Sequence, residues 1–250
     1  MKQWVHVCLD LPSDEIDRGA AFWCSALDWT LSDPWPANPE VRTFLAPERE
    51  DPYLIVQLIG GPPRIHLDFE VRDRDSVADR LIGLGASQFR SRELWRTLQS
   101  PGGLPFCLVE SSSHGRRPAP SGPAGQRSRL VQVCIDSPAD LHEREVDFWR
   151  AATGWRWEES KNGAKSHGFA GKLYPDSGSP IQLLLQQLGS DDLARSVRAH
   201  LDLGCDDREA EAARLADLGA TRLWDGHGWI TLRDPAGLLF CVTGNSPGAP

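Results

Sequence analysis

The 250-residue sequence has no long hydrophobic run and no excess of basic residues. A membrane-spanning helix needs roughly 18–20 consecutive apolar residues, and none of the apolar segments approaches that length. Proteins that bind nucleic acids in general present a basic face, whereas this chain carries a net charge of −8. We therefore predict neither a membrane partner nor a nucleic-acid partner.

Several short motifs that carry chemistry are absent as well. The sequence has no Cys-x-x-Cys pair, which makes a structural zinc knuckle improbable. It has no Gly-x-Ser-x-Gly elbow, no Gly-rich phosphate loop ending in Lys and no dinucleotide fingerprint after a strand, so nucleophilic and nucleotide chemistry have little support. A secretory segment is also lacking, and we expect a cytoplasmic protein whose six cysteines are reduced.

An internal repeat is the main feature that the sequence does contain. The segment Arg64–Val71, RIHLDFEV, recurs as Arg198–Cys205, RAHLDLGC, and each copy is followed by a helical run that ends in Leu-Gly-Ala. A Phe-Trp pair at Phe22 likewise recurs at Phe148. Matches at such constant spacings indicate two related halves.

Apolar periodicity gives each half the same order of elements. Period-2 and period-3.6 segments alternate as βαβββ twice per half, so we predict an α+β protein of four βαβββ modules. The predicted domains are residues 1–110 and 129–244, separated by a flexible Ser/Pro/Gly/Arg-rich linker at 111–128 and followed by a loose tail at 245–250. The predicted helices are Ile16–Leu27, Ser76–Leu84, Leu141–Thr153 and Arg208–Leu218. One weak strand is predicted at His167–Phe169.

These motifs resemble the vicinal oxygen chelate superfamily, which groups glyoxalases, bleomycin-resistance proteins and extradiol dioxygenases. The resemblance rests on the Phe-Trp helix, on His-Leu-Asp at the start of the second module, and on the closing motif Arg233–Cys241. It covers nearly the whole chain outside the linker and tail, and it is closest to the glyoxalase-like branch. The resemblance implies two tandem glyoxalase-like domains with ligand clefts, and it leaves the reaction open.

Strand alternation selects the residues that would line such a cleft. His66 and Asp68 share one strand face, and Leu67 and Phe69 share the other, so the polar pair should face the cleft. The same argument adds His6, Gln57 and Cys107 in the first half, and it places His200 and Asp202 on one face in the second. The resemblance implies that Gln132, Gln186 and Cys241 occupy the matching cleft positions of the second half. Each His-Asp pair could serve a ligand or only hold the fold, and each Cys could simply pack as a small apolar residue.

The resemblance also bears on metal binding. Metal-using members take ligands from His or Gln on the first strand, Glu on the fourth, His opening the second module and Glu on the closing strand. His6, His66, Gln132 and His200 match this pattern, but Gln57 and Gln186 replace the fourth-strand Glu, and Cys107 and Cys241 replace the closing one. No metal is therefore favoured. If a divalent ion (zinc, iron or manganese) does bind, we expect His6, His66 and Cys107 as its ligands.

Six of the ten Trp residues fall into two groups. Trp23 and Trp149 lie beside Phe on helices and are predicted to be core. Four others are predicted to stack on a ligand, as aromatic residues do where flat molecules bind. They are Trp35, Trp95, Trp157 and Trp229.

Three functions follow as alternatives. The preferred one is a metal-independent protein that binds a small molecule, such as an aromatic antibiotic or metabolite. The second is a metal-dependent lyase, isomerase or dioxygenase that uses His6 and His66. The third is a scaffold with vestigial clefts. We expect a monomer with pseudo-dimeric halves, or a homodimer.

Overall fold

The computed structural model describes residues 4–46, 50–111, 114, 116–122, 125–161, 168–175 and 178–248. These residues form sixteen strands and four helices, in the order βαβββ repeated four times. The predicted α+β class and module order are therefore confirmed. Within the described residues, no helix is both long enough and apolar enough to span a membrane.

Each module has one helix and four strands. Module 1 comprises β1 (Val5–Leu11), α1 (Ile16–Leu27), β2 (Thr30–Leu31), β3 (Val41–Leu45) and β4 (Leu54–Leu58). Module 2 comprises β5 (Arg64–Val71), α2 (Arg74–Gly83), β6 (Ser87–Ser91), β7 (Trp95–Gln99) and β8 (Pro105–Glu110). Module 3 comprises β9 (Ser128–Ser137), α3 (Ala139–Thr153), β10 (Arg156–Glu159), β11 (Phe169–Tyr174) and β12 (Gln182–Gln187). Module 4 comprises β13 (Arg198–Cys205), α4 (Arg208–Asp217), β14 (Thr221–Asp225), β15 (Trp229–Arg233) and β16 (Leu239–Thr243).

The helix predictions are correct in place and differ mainly at the N-termini. Helix α1 has the predicted bounds. Helix α2 begins two residues earlier than predicted, because the Asp73 side chain accepts a hydrogen bond from the Ser76 amide and caps the helix. Helix α4 begins where predicted, and Asp207 caps it in the same way through the Ala210 amide.

Two strands show the limits of periodicity. Strand β2 has only two residues and was not predicted. Strand β11 begins at Phe169, where the predicted strand was to end, and it includes Gly171 and Lys172, which weaken its apolar pattern. His167, which was also predicted to lie in this strand, is outside the described residues.

The four modules share one strand order. It reads β2-β3-β4-β1, β5-β8-β7-β6, β10-β11-β12-β9 and β13-β16-β15-β14 in modules 1 to 4. In modules 1, 2 and 4 the first and last strands pair in parallel. The first and last strands of a module are therefore neighbours, which places the His-Leu-Asp strand beside the closing strand.

The chain divides into two compact units that do not coincide with its sequence halves. Unit 1 contains residues 1–5, 66–115 and 133–199, and unit 2 contains residues 6–65, 116–132 and 200–250. Modules 2 and 3 thus belong to unit 1, and modules 1 and 4 to unit 2. The predicted domain boundaries follow the sequence repeat and not these units, and they stay a prediction.

Each unit has an aromatic core around the Trp of its Phe-Trp helix. In unit 1 the ring centroids of Phe106 and Trp149 are 5.4 Å apart, and in unit 2 those of Trp23 and Phe240 are 5.3 Å apart. Trp23 and Trp149 have 0% and 1% exposure, which confirms that both are core residues.

Candidate functional site

The first-half cluster, defined as His66, Asp68, Thr97 and Cys107, lies in unit 1. Strand alternation puts His66 and Asp68 on one face of β5, where His66 Nε2 is 3.1 Å from Asp68 Oδ1. Cys107 is paired in register with Asp68 on one side and with Thr97 on the other. The Thr97 hydroxyl contacts the Cys107 sulfur at 3.5 Å. Three adjacent strands therefore bring together four polar groups.

The cluster favours a protonated thiol. Burial raises the pKa of Cys107, and the Asp68 carboxylate raises it further, against smaller opposing effects of His66 and Thr97. A thiol with a raised pKa is neutral near pH 7, so Cys107 does not replace the missing carboxylate charge. This part of the first half offers hydrogen bonds more than it offers charge.

The second-half cluster, defined as Gln132, His200, Asp202, Thr231 and Cys241, lies in unit 2. His200 Nε2 is 3.4 Å from Asp202 Oδ1, and the Thr231 hydroxyl is 3.4 Å from the Cys241 sulfur. The Gln132 amide donates a hydrogen bond to Asp202 Oδ2. His200, Asp202, Thr231 and Cys241 repeat the arrangement of the first-half cluster, and Gln132 makes a further contact within this unit.

A metal that the fold family implies can be tested against these donor atoms. One ligand atom each of His200, Asp202 and Cys241 lies within 4.8 Å of the other two. The Asp202 side chain is 4% exposed, and its Oδ1 accepts no hydrogen bond from any described residue. A nitrogen, an oxygen and a sulfur donor suit zinc better than a hard cation, which prefers oxygen ligands. The second-half cluster fits a metal of this kind.

The remaining predicted polar residues lie in other surroundings. His6 is buried on β1, in the unit that does not contain His66 and Cys107. Gln57 is half-buried on β4, in register with Asp10, whose Oδ2 accepts a hydrogen bond from Arg64 Nε. In unit 1 the Gln186 side-chain oxygen is 3.3 Å from the sulfur of Cys134.

The predicted stacking residues differ in how they are held. Trp35 is 41% exposed, and its indole nitrogen donates to the Thr43 hydroxyl at 2.9 Å. The Arg150 guanidinium lies 5.1 Å from the ring centre of Trp157. Two further residues, Trp95 and Trp229, are half-buried on strands.

Trp95 and Trp229 stand in equivalent places beside the two clusters. Each lies two residues before the cluster threonine on the same strand, so each shares the face that bears Thr97 or Thr231. Thr97 and Thr231 recur with the repeat at the same offset as His66 and His200, but the sequence analysis gave them no role. This recurrence was the signal in the sequence that could have pointed to the threonines. The strand register shows that Thr97 pairs with Cys107 and Thr231 with Cys241.

The geometry agrees with the comparisons to known proteins. The model of the glyoxalase-like domain family matches residues 6–109 and 132–243. The chain belongs to this family. It therefore carries two tandem glyoxalase-like domains and is a member of the vicinal oxygen chelate superfamily, as the motifs indicated. No curated protein is found to match it.

Solved structures show the same fold for this glyoxalase-like protein. The Mn(II)-bound glyoxalase from Novosphingobium aromaticivorans has a TM-score of 0.65 at 18% identity, over 97% of this chain and 81% of that one. A 4-hydroxymandelate synthase mutant from Streptomyces coelicolor has a TM-score of 0.61 at 16% identity, over 97% and 93%. The 2,2',3-trihydroxybiphenyl 1,2-dioxygenase from Sphingomonas wittichii has 0.60 at 12%, over 97% and 90%. At these identities the likeness concerns the fold alone.

Proposed function

We propose that this glyoxalase-like protein binds a small aromatic molecule through its first-half cluster, without a metal. The observation that supports this function is the place of Cys107, which is in register with Asp68 of the His66–Asp68 pair, where metal-using members carry a carboxylate. Burial raises the pKa of its thiol, which favours the neutral form. His66, Asp68 and Thr97 lie on neighbouring strands around Cys107, and a few convergent polar groups of this kind are what fixes the orientation of a small ligand.

Trp95 supports an aromatic ligand. It is half-buried on the strand face that bears Thr97, so its ring is available beside the cluster without being sealed in the core. An aromatic antibiotic or metabolite could stack on this ring and accept or donate hydrogen bonds at His66. In this function the protein sequesters the molecule and leaves it unchanged.

Tryptophan fluorescence of the chelator-treated protein tests the proposal. Metal-free bleomycin serves as the antibiotic probe and 2,2',3-trihydroxybiphenyl as the small aromatic probe. We expect saturable quenching by at least one of them, weakened about tenfold or more in Trp95→Leu and in His66→Ala. Trp224→Leu is the matched control because Trp224 is 54% exposed and lies outside both clusters. Unsaturable quenching by both probes, or equal losses in Trp95→Leu and Trp224→Leu, would refute the proposal.

A second candidate is a metal-dependent lyase, isomerase or dioxygenase that uses His6 and His66. The contact of 3.1 Å between His66 and Asp68 favours it, because a carboxylate fixes the imidazole tautomer and lets His66 take or return a proton. A bound metal would supply polarisation of substrate oxygens. Oxygen uptake with 2,2',3-trihydroxybiphenyl, abolished in a folded His66→Ala variant, would establish this function in place of sequestration.

The proposed setting is a reducing compartment, and the proposed partner is a small molecule only. None of the six cysteines forms a disulfide, although most are buried. Reduced cysteines support the proposed cytoplasmic setting. Light scattering coupled to size exclusion would distinguish the expected monomer from a homodimer.

A further inference from the structure

We propose that the second-half cluster is a zinc site, with His200 Nε2, Asp202 Oδ1 and Cys241 Sγ as ligands and Gln132 as the residue that positions Asp202. This inference goes beyond the proposed function, which needs no metal and concerns the first half. The sequence pattern pointed to different ligands for a metal, namely His6, His66 and Cys107.

The separations of the ligand atoms fit a tetrahedral ion. Zinc bonds to nitrogen and oxygen of about 2.0–2.2 Å, at a tetrahedral angle, place the two ligand atoms roughly 3.3–3.6 Å apart. His200 Nε2 and Asp202 Oδ1 are 3.4 Å apart, and Cys241 Sγ completes a set within 4.8 Å. Three protein ligands leave a fourth position open to water or a substrate.

The backbone places these three groups together before any metal binds. Strand alternation puts His200 and Asp202 on one face of β13, and the parallel pairing of β13 with β16 sets Cys241 in register with Asp202. Asp202 and Cys241 are 3% and 5% exposed. Burial strengthens the interaction between a cation and its ligands because water screens it less.

Gln132 gives Asp202 a defined orientation. Its amide donates to Oδ2, which leaves Oδ1 directed towards His200. Partners of this kind hold a metal-binding carboxylate in place, and their loss typically costs 10–100-fold in metal affinity. Gln132 was predicted as a ligand-binding residue, and within this proposal its contact with Asp202 gives it a positioning role.

The composition of the set selects the metal. A carboxylate and a thiolate together balance the charge of a divalent ion, and a thiolate with an imidazole is the donor pair that zinc and cobalt accept. Magnesium and calcium require several oxygen ligands, and Asp202 is the one carboxylate of this cluster. We therefore expect zinc or cobalt to bind and magnesium to be rejected.

The test uses the full-length protein after treatment with a chelator. Zinc affinity is measured by competition with a chromophoric chelator, and cobalt(II) is added separately to record the absorption of a cobalt–thiolate bond. We expect one zinc per chain and a cobalt–thiolate band, both lost in Cys241→Ser and in His200→Ala. The equivalent first-half variants, Cys107→Ser and His66→Ala, should keep both signals. Circular dichroism of each metal-free variant shows whether it is folded.

Gln132→Leu separates a positioning residue from a ligand. We expect its zinc affinity to fall about 10–100-fold, whereas its cobalt–thiolate band at saturation should equal that of the wild type. Absence of tight zinc binding by the wild type would overturn the proposal. So would zinc binding that survives in folded Cys241→Ser and His200→Ala, or that disappears in folded Cys107→Ser. Because zinc and aromatic probes are measured separately, failure here leaves the proposed function standing.

Discussion

Each compact unit has a buried tryptophan whose indole N–H donates a hydrogen bond to a carboxylate. The two carboxylates come from different elements of their units. In unit 2, Trp23 Nε1 donates to Asp234 Oδ2 at 2.8 Å, from helix α1 to the turn between β15 and β16. In unit 1, Trp149 Nε1 donates to Glu145 Oε2 at 2.8 Å, within its own helix α3. The contact is the same although its acceptor has moved.

The surrounding residues have changed to match. Glu145 stands three residues before its Phe-Trp pair, where the first half has Gly19, and Asp234 precedes a proline where the first half has Ser100. A Cβ on Gly19 would lie 2.6 Å from Leu11 Cδ1 and 2.9 Å from the Cβ of Ala236, so the helix approaches the turn closely there. The two halves therefore make the same indole–carboxylate contact with different acceptors and with matching differences in the residues around it.

The two polar clusters follow the same rule with a different result. Both keep His, Asp, Thr and Cys at equivalent strand positions. The second half has Gln132, which donates to Asp202, where the first half has His6, and we interpret this exchange as a change of role. The following experiments test each side of this comparison.

The largest effect on stability is expected for Glu145→Ala. It leaves the indole N–H of Trp149 and the Gly102 amide, which donates to Glu145 Oε1, buried without an acceptor. We expect a loss of about 2–4 kcal/mol in the free energy of unfolding, measured by urea denaturation at neutral pH. Glu143→Ala, an exposed change on the same helix, should cost little. Equal costs for the two variants would show that the buried carboxylate is dispensable.

Gly19→Ala is expected to cost about 1–3 kcal/mol, because the added methyl overlaps Leu11 and Ala236. The double variant with Ala236→Gly should recover part of this loss, since it restores the glycine that module 2 has at Gly102. Gly83→Ala is the control, as its Cβ would meet no atom within 4 Å. Strictly additive costs in the double-mutant cycle would contradict compensation.

The cost of Glu145→Ala should also depend on pH. Burial raises the pKa of Glu145 above its ordinary value of 4.5, so folding favours the protonated carboxyl. The part of its contribution that depends on protonation is then fully present below the pKa of the unfolded chain and is lost as the pH rises through the folded pKa, whereas its two hydrogen bonds as an acceptor remain. We expect the stability difference between wild type and variant to shrink as the pH is raised from about 4 to about 7. A difference that grows over this range would be inconsistent with a raised pKa.

The smallest effects should come from the threonines. Thr231→Val removes a hydroxyl 3.4 Å from Cys241 Sγ and should weaken zinc binding by up to about tenfold. Thr97→Val makes the same change beside Cys107 and should leave zinc binding unaltered. Chelator competition measures both, and equal effects would argue against different roles for the two clusters.

Much of this arrangement could be predicted from sequence, and the rest could not for definite reasons. The His-Leu-Asp repeat and the alternation of β5 and β13 place both His-Asp pairs correctly, because neighbours on one strand face depend only on local geometry. The pairing of Cys241 with Asp202 depends on register between strands that are distant in sequence. Gln132 lies on a third strand, β9, and its hydrogen bond to Asp202 Oδ2 cannot be predicted from any local sequence pattern.

The assignment of modules to compact units is also beyond the sequence. The repeat divides the chain between residues 110 and 129, whereas contacts join module 2 to module 3 and module 1 to module 4. Repeats report ancestry, and packing depends on which apolar faces meet. Phe69 in module 2 and Trp149 in module 3, with ring centres 5.9 Å apart, illustrate such a meeting within unit 1.

Native mass spectrometry of the full-length protein tests most directly the claim that the two clusters have different roles. Zinc and the aromatic probe that quenches tryptophan fluorescence are added in separate samples, because a probe with chelating groups would carry zinc itself. We expect one zinc, and in the other sample one probe molecule, per wild-type chain. Cys241→Ser should lose zinc and keep the probe, and Trp95→Leu should lose the probe and keep zinc. If either substitution removed both, or if zinc remained on Cys241→Ser, the division of roles between the halves would be wrong.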